Sequence, residues 1–380
     1  MATSSKIITE LEVWSPLLFL SIHLTSEGFE LDLNELRLVQ FQDSEPVWIT
    51  EQQKLYAKSL GMEYLDVTNL PPNFGTLFEK RRYSYPTPNS TLVASILPLI
   101  SIEEMRVNLE YFTGAFETRY YNSDSGKASS EWLLKKIQEY TTQLATPQVQ
   151  RLVTVKPFKH HWKQTSVIVH IQPREPIDDG ITVIGAHCDS INQENPFLPA
   201  PGADDDGSGT VTILEAYRAL LISGYIPTSP LEFHFYSAEE GGGLGSQDIV
   251  ASYEAARKEI KGMQQYDMTA WVASGTSPVV NVVTSGVDAA LSTFLCQLVD
   301  RYLDIPCVRE SKRKNAGSDH LLWNRAGYQA CHAAEGLMGN ENYDNIHTAQ
   351  DRIDVSPEFS FEHINEFAKL AVAFAVELSS

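Results

Sequence analysis

Ile181-Thr182-Val183-Ile184-Gly185-Ala186-His187-Cys188-Asp189-Ser190 opens with an almost unbroken apolar and β-branched run and closes on a histidine and an acid. A run of that kind marks a strand buried on both faces, as strands of parallel sheets are. Leu231 to Tyr236 repeats the pattern and leads into Ser237-Ala238-Glu239-Glu240-Gly241-Gly242-Gly243. Between the two runs, Ser208 to Leu221 has the length and composition of a crossover helix, so the three segments form a strand–helix–strand unit. Outward from this unit, Leu152-Val153-Thr154-Val155 and Ser166 to Ile171 read as further strands. Ile102 to Phe112, Ser129 to Leu144, Ser246 to Lys261, Ala289 to Tyr302 and Phe361 to Leu378 read as helices. The pattern predicts an α/β fold, with a mainly parallel, mixed central sheet and helices on both faces. In such a sheet, ligands gather at the carboxyl ends of the strands.

The composition narrows the possible functions. Of the 380 residues, 43% are hydrophobic and 21% charged, which suits a chain that buries a core. The length fits one large domain with an appendage. A formal net charge of −20 repels polyanions and argues against a nucleic-acid partner. No apolar run approaches the roughly 18–20 residues of a membrane-spanning helix, so no membrane association is expected. Val13 to Ile22 has about the length of a signal-peptide core, but Glu10 and Glu12 flank it and Pro16 interrupts it. The single sequon, Asn89-Ser90-Thr91, leans towards secretion. Cys188, Cys296, Cys307 and Cys331 fit neither a disulfide scaffold nor a cysteine zinc site, although one or two bridges stay open to them. Roughly the first 80 residues are short mixed segments broken by turn-rich stretches, and they read as a small appendage. Lys80-Arg81-Arg82 is either a basic run for a processing protease or a solvated loop.

Acids and histidines stand where the strands should end. His187 follows the first run, and Asp204-Asp205-Asp206 opens the crossover helix. Adjacent carboxylates repel, and a helix N-terminus does not call for three of them, so a bound cation is the simplest neutraliser. Glu239 and Glu240 close the second run, where unpaired carboxylates are seldom buried. Asp267 sits at the edge of another apolar stretch, and His347 lies in a polar loop before the last helix. Taken singly, each has an ordinary structural reading. Together, two histidines and three carboxylates make a mixed nitrogen and oxygen donor set suited to zinc. One carboxylate can bridge two ions, leaving a histidine and a terminal carboxylate for each.

These blocks, in this order, resemble the dizinc aminopeptidases that include the secreted bacterial and fungal leucine aminopeptidases. The matching motifs are Gly185 to Ser190, Pro201 to Gly209, Ser237 to Glu240, Asp267-Met268-Thr269, Gly317-Ser318-Asp319-His320 and Ile346-His347-Thr348, and the likeness spans about residue 100 to the C-terminus. The resemblance implies two zinc ions per chain. Asp205 would bridge them, His187 and Asp267 would complete one, and Glu240 and His347 the other. It implies Glu239 as general base and Asp189 as the residue that orients the His187 imidazole. It further implies peptide substrates with a free N-terminus, an aliphatic and leucine-like preference, a secreted enzyme, and a monomer. Glu45 to Glu51 is similar to the family's pro-segment, so residues 1–82 are expected to be leader and propeptide and residues 83–380 the catalytic domain.

Three positions depart from the family pattern. Asn315 stands where an oxyanion tyrosine is usual, with Arg313 and Gly317 in place of two flanking cysteines. Gly243 replaces a larger apolar residue, and Cys188 is expected to point inward. Two other readings remain. One is a glutaminyl cyclase, which shares the fold but uses one zinc and fewer ligands. The other is a catalytically silent relative that binds peptides.

Overall fold

The computed structural model describes residues 28–380 apart from 30, 42–43, 176, 178 and 312–316. The leader-like stretch Val13 to Ile22, and Arg313 and Asn315, lie outside the described residues. The chain begins with a three-stranded antiparallel sheet of β1 (Leu36–Phe41), β2 (Val47–Thr50) and β3 (Tyr64–Asp66), ordered β2-β1-β3. Helix α1 (Glu51–Ser59) crosses between β2 and β3, and Thr50 and Gln53 form a capping box at its start.

Eight strands then form the main sheet: β4 (Val153–Phe158), β5 (Ser166–Ile171), β6 (Ile181–His187), β7 (Leu231–Tyr236), β8 (Ile260–Tyr266), β9 (Val280–Val282), β10 (Cys307–Val308) and β11 (Ala330–Ala334). Their order is β10-β9-β11-β8-β6-β7-β5-β4. The centre, β7-β6-β8-β11, is parallel, and antiparallel pairs appear towards both edges. β6 and β7 are buried at every position, as their unbroken apolar runs require. On one face pack α2 (Asp124–Leu144), α3 (Gly209–Ser223), α5 (Ala289–Tyr302) and α6 (Phe361–Ser379), around Ile137, Leu220, Phe294 and Phe374. On the other lies α4 (Leu244–Ala255), joined by Tyr236, Tyr253 and Trp323 in a second cluster. The mixed sheet with helices on both faces is the architecture expected from sequence.

Two boundaries differ. The helix read through Lys261 stops at Ala255, and Ile260–Tyr266 is a strand. Lys261, Gly262, Gln264 and Gln265 hide its apolar period, and both glutamines are fully buried. α2 starts at Asp124, not Ser129, because the Ser123 hydroxyl accepts the Gly126 N–H at 2.9 Å. Gly126 allows this turn to close, since a Cβ there would lie 2.0 Å from the Tyr120 carbonyl oxygen. Strands β9 and β11, only three and five residues long, had no recognisable pattern. Cys296 on α5 is bridged to Cys307 on β10 with their Cα atoms 5.5 Å apart, and Cys188 is buried and free.

Candidate active site

Chain order reverses at β6, which has β7 on one side and β8 on the other, both parallel to it. Such a switch point opens a crevice at the carboxyl ends of the strands. His187 is the last residue of β6, Glu239 and Glu240 follow β7, and Asp267 follows β8. Asp205 stands in the turn that enters α3, where Asp205 and Asp206 have non-helical backbone angles and share a cis peptide bond. His347 arrives on the loop before α6.

The five side chains converge around one carboxylate. Asp205 Oδ1 lies 3.0 Å from His187 Nε2, and Asp205 Oδ2 lies 2.9 Å from His347 Nε2. Asp267 Oδ1 is 3.7 Å from His187 Nε2, and Glu240 Oε2 is 3.2 Å from His347 Nε2. Donor atoms of Asp205, Glu240 and His347 fall within 4.8 Å of one another, as do those of His187, Asp206 and Asp267. Asp206 already has other partners: Oδ2 accepts the His187 N–H at 3.1 Å, and Oδ1 accepts those of Gly209 and Met268 at 2.9 and 3.1 Å. It ties the segments of His187, Asp205 and Asp267 together, while Asp205 turns its two oxygens to the two imidazoles.

Asp189 has a similar bracing position. It approaches His187 Nδ1 at 3.3 Å and accepts the backbone N–H groups of Glu239 and Glu240 at 3.0 and 3.2 Å. Behind the site, Asp204 accepts the Ala270 N–H at 3.1 Å and Asn342 Nδ2 at 3.0 Å, and Glu335 accepts the Trp271 N–H at 2.7 Å. Sequence reasoning had Asp204 only as one of three adjacent acids and passed over Glu335 and Asn342; the only signal for those two was an acid closing an apolar run at Glu335. The left-handed residues Ala238, Met268 and His347, with φ of 58°, 63° and 56°, all lie at the site: Ala238 precedes Glu239, and Met268 follows Asp267.

Electrostatics favour a cation here. Burial pushes the carboxyl groups of Asp204 and Asp319 up to about 6 and about 7. Burial likewise lifts Glu239 well above its ordinary 4.5, with Asp319, Glu240 and Asp267 adding to the rise and His187 opposing it. For His347, burial works against the charged form, but Glu240 and Asp205 outweigh it and hold the imidazole at about 10. This surplus of buried negative charge beside two imidazoles is the donor set that a divalent cation satisfies, and mixed nitrogen and oxygen ligands suit zinc.

The N-terminal unit also reaches the site. Lys58 on α1, 5% exposed, places Nζ 2.9 Å from Glu240 Oε2 and 3.5 Å from Glu63 Oε2. Beside it, Lys54 Nζ donates to the Gly241 carbonyl at 3.4 Å, and the Asp66 N–H donates to the Gly242 carbonyl at 3.1 Å. The small Gly241 to Gly243 loop, with φ of 102° and 72° at its last two residues, admits this contact; a Cβ at Gly242 would lie 2.6 Å from Asp66 N. In the basic run, Lys80 is buried against Glu254, and Arg81 and Arg82 are exposed.

Comparison with known proteins agrees with this geometry. Residues 166–372 match peptidase family M28. Leucine aminopeptidase 1 of Neurospora crassa is 41% identical over 357 residues, covering 90% of this chain and 85% of its own. The same-named protein of Grosmannia clavigera is 39% identical over 358 residues, with 90% and 85% covered. The crystal structure of the LapA aminopeptidase of Legionella pneumophila superposes with a TM-score of 0.76 at 25% identity, covering 91% of this chain and 98% of that one. Residues 83–380 alone cannot supply that share, so the LapA likeness extends into the N-terminal unit.

Proposed function

Because this chain belongs to peptidase family M28, we propose that it is a zinc-dependent aminopeptidase that releases aliphatic, leucine-like residues from the free N-terminus of peptides. The observation that carries the reading is Asp205, with one oxygen 3.0 Å from His187 and the other 2.9 Å from His347. Asp205 would be shared between two ions, of which His187 and Asp267 would hold one and Glu240 and His347 the other. When bound, two zinc ions polarise the scissile carbonyl and lower the pKa of water.

The chain's own residues do the rest. Glu239, partly exposed to the crevice, takes the proton of the attacking water and passes it to the leaving amine. Asp189 fixes the direction of His187 and pins the backbone of Glu239 and Glu240. Neighbouring acids hold the substrate's terminal ammonium, which limits the enzyme to exopeptidase action. The leucine preference draws its support from the names of the curated relatives. All five ligands come from one chain, so a monomer suffices.

The N-terminal unit acts as a propeptide within residues 1–82. Its Lys58 ammonium lies against Glu240, where it competes with a cation or with a peptide's terminal amine. Secretion is supported by the Cys296–Cys307 bridge, which persists in oxidising compartments, and by the exposed Asn89 of the sequon, a site for glycosylation. Among the described residues, no helix is long and apolar enough to cross a membrane.

The test compares a leucine-initiated peptide with its N-acetylated form, using the full chain and the chain starting at Tyr83. Stepwise release from the free peptide only, faster in the shorter chain and in full-length Lys58→Gln, is the expected result. Cleavage of the acetylated peptide would refute the exopeptidase reading. Equal rates in all three proteins would refute the propeptide reading.

A further inference from the structure

The acids around the ligands differ in what their oxygens touch. Asp189 and Asp206 direct theirs to backbone N–H groups of ligand segments, and a third acid does the same. Asp351, 1% exposed and four positions after His347, accepts the Asp204 N–H through Oδ1 at 2.9 Å and the Asp205 N–H through Oδ2 at 3.0 Å. Its own carbonyl accepts the Ala203 N–H at 3.0 Å. Three consecutive amides of the Asp205 turn therefore end on one residue of the His347 loop. The turn needs such an anchor, because Asp205 and Asp206 have non-helical backbone angles and the preceding Gly202 offers no side chain to cap it.

We propose that Asp351 is a positioning residue for the reaction: its carboxylate, bound to two adjacent amides, sets the direction of the Asp205 side chain between His187 and His347. Two adjacent N–H groups, each held by a different oxygen of one carboxyl group, define a direction as well as a position. Asp351 shares its loop with His347, so the same contact fixes the two ligands relative to each other. No other side-chain type reproduces this. Asparagine would face one of the amides with its own NH₂ group, leaving a buried donor unpaired, and glutamate would carry the oxygens a methylene too far. The inference rests on Asp205 and His347 being ligands.

The test uses Asp351→Asn and Asp351→Glu in the chain starting at Tyr83 and in the full chain, with Asp205→Ala for reference and Ile137→Val as a control lowering stability far from the site. Readouts are zinc content, the absorption bands of the cobalt-substituted protein, kcat and KM separately, and the melting temperature. The expected result is a fall in kcat of about 10- to 100-fold with KM within about twofold, together with shifted cobalt bands, in at least the variant that folds. Ile137→Val should lower the melting temperature and leave the bands and kcat unchanged. Wild-type bands and kcat in a folded Asp351 variant would overturn the proposal. So would failure of both variants to bind metal when their melting temperatures match the control, because a positioning role preserves the ligands. If Asp205→Ala itself keeps full zinc content and turnover, the ligand assignment fails, whatever Asp351 does.

Discussion

Glu239 differs from Glu240 beside it in what surrounds each carboxylate. Glu240 lies 3.2 Å from His347 and 2.9 Å from Lys58, so opposite charge keeps it ionised. Glu239 is lifted by burial and by neighbouring acids, which suits the general-base role proposed for it. Glu239→Ala should therefore lower kcat by about 10²–10⁴-fold with zinc content unchanged, measured by hydrolysis and metal analysis of the same sample. Loss of zinc along with activity would instead make Glu239 a ligand. Legibility at this scale followed side-chain chemistry. Acids and histidines placed after apolar strands can be recognised from residue type, which marked out His187, the Asp204 to Asp206 triplet, Glu239 and Glu240, Asp267 and His347; choosing Asp205 and Glu240 among them took the family resemblance. Asp351 and Asn342 could not be. They act on backbone amides at positions set by loop geometry, and no residue pattern records which N–H groups a loop leaves unpaired. The left-handed backbone at Ala238, Met268 and His347 was equally silent, since alanine and methionine do not favour it and the histidine preference is too weak to locate a single residue.

Among the elements, β6 and β7 were the easiest to read, because strands buried on both faces must be apolar throughout. β8 was hidden by the opposite circumstance: Gln264 and Gln265 are buried polar residues, and Gln265 Nε2 donates to Ser318 Oγ and Asp319 Oδ2, each at 3.0 Å. That contact ties the Gly-Ser-Asp-His block to the sheet, a tertiary requirement that overrides the apolar period. The last helix, α6, carries a buried histidine with a measurable consequence. His363 is 2% exposed, its Nε2 is 3.0 Å from the Val279 carbonyl oxygen, and burial holds its pKa down to about 4 from 6.5. Between those values the unfolded chain carries a proton that the folded chain refuses, so stability falls as pH falls through this window. From pH 6.5 to 4.5 the loss from this group is about 2 kcal/mol. Urea unfolding of wild type and His363→Gln at both pH values should show the variant losing less by about that amount. Equal losses would remove His363 as the cause.

For the whole molecule, the catalytic unit organises around the reversal of chain order at β6, and the His187, Glu240 and Asp267 segments follow the carboxyl ends of β6, β7 and β8. This arrangement was predictable, because it follows from parallel strands joined by crossover helices. The contact with the N-terminal unit was not. Lys58 lies far from Glu240 in sequence, and nothing in Lys58's surroundings along the chain distinguishes it from a solvated helix lysine. Hydrolysis at this site is proposed to depend on two zinc ions. The most direct test is to strip the chain starting at Tyr83 with a chelator, return zinc stepwise, and follow leucine p-nitroanilide hydrolysis against bound metal. Activity that is absent without metal and reaches its maximum as the second equivalent binds is the predicted result. Full activity in the stripped protein, or no hydrolysis with two zinc ions bound, would contradict it.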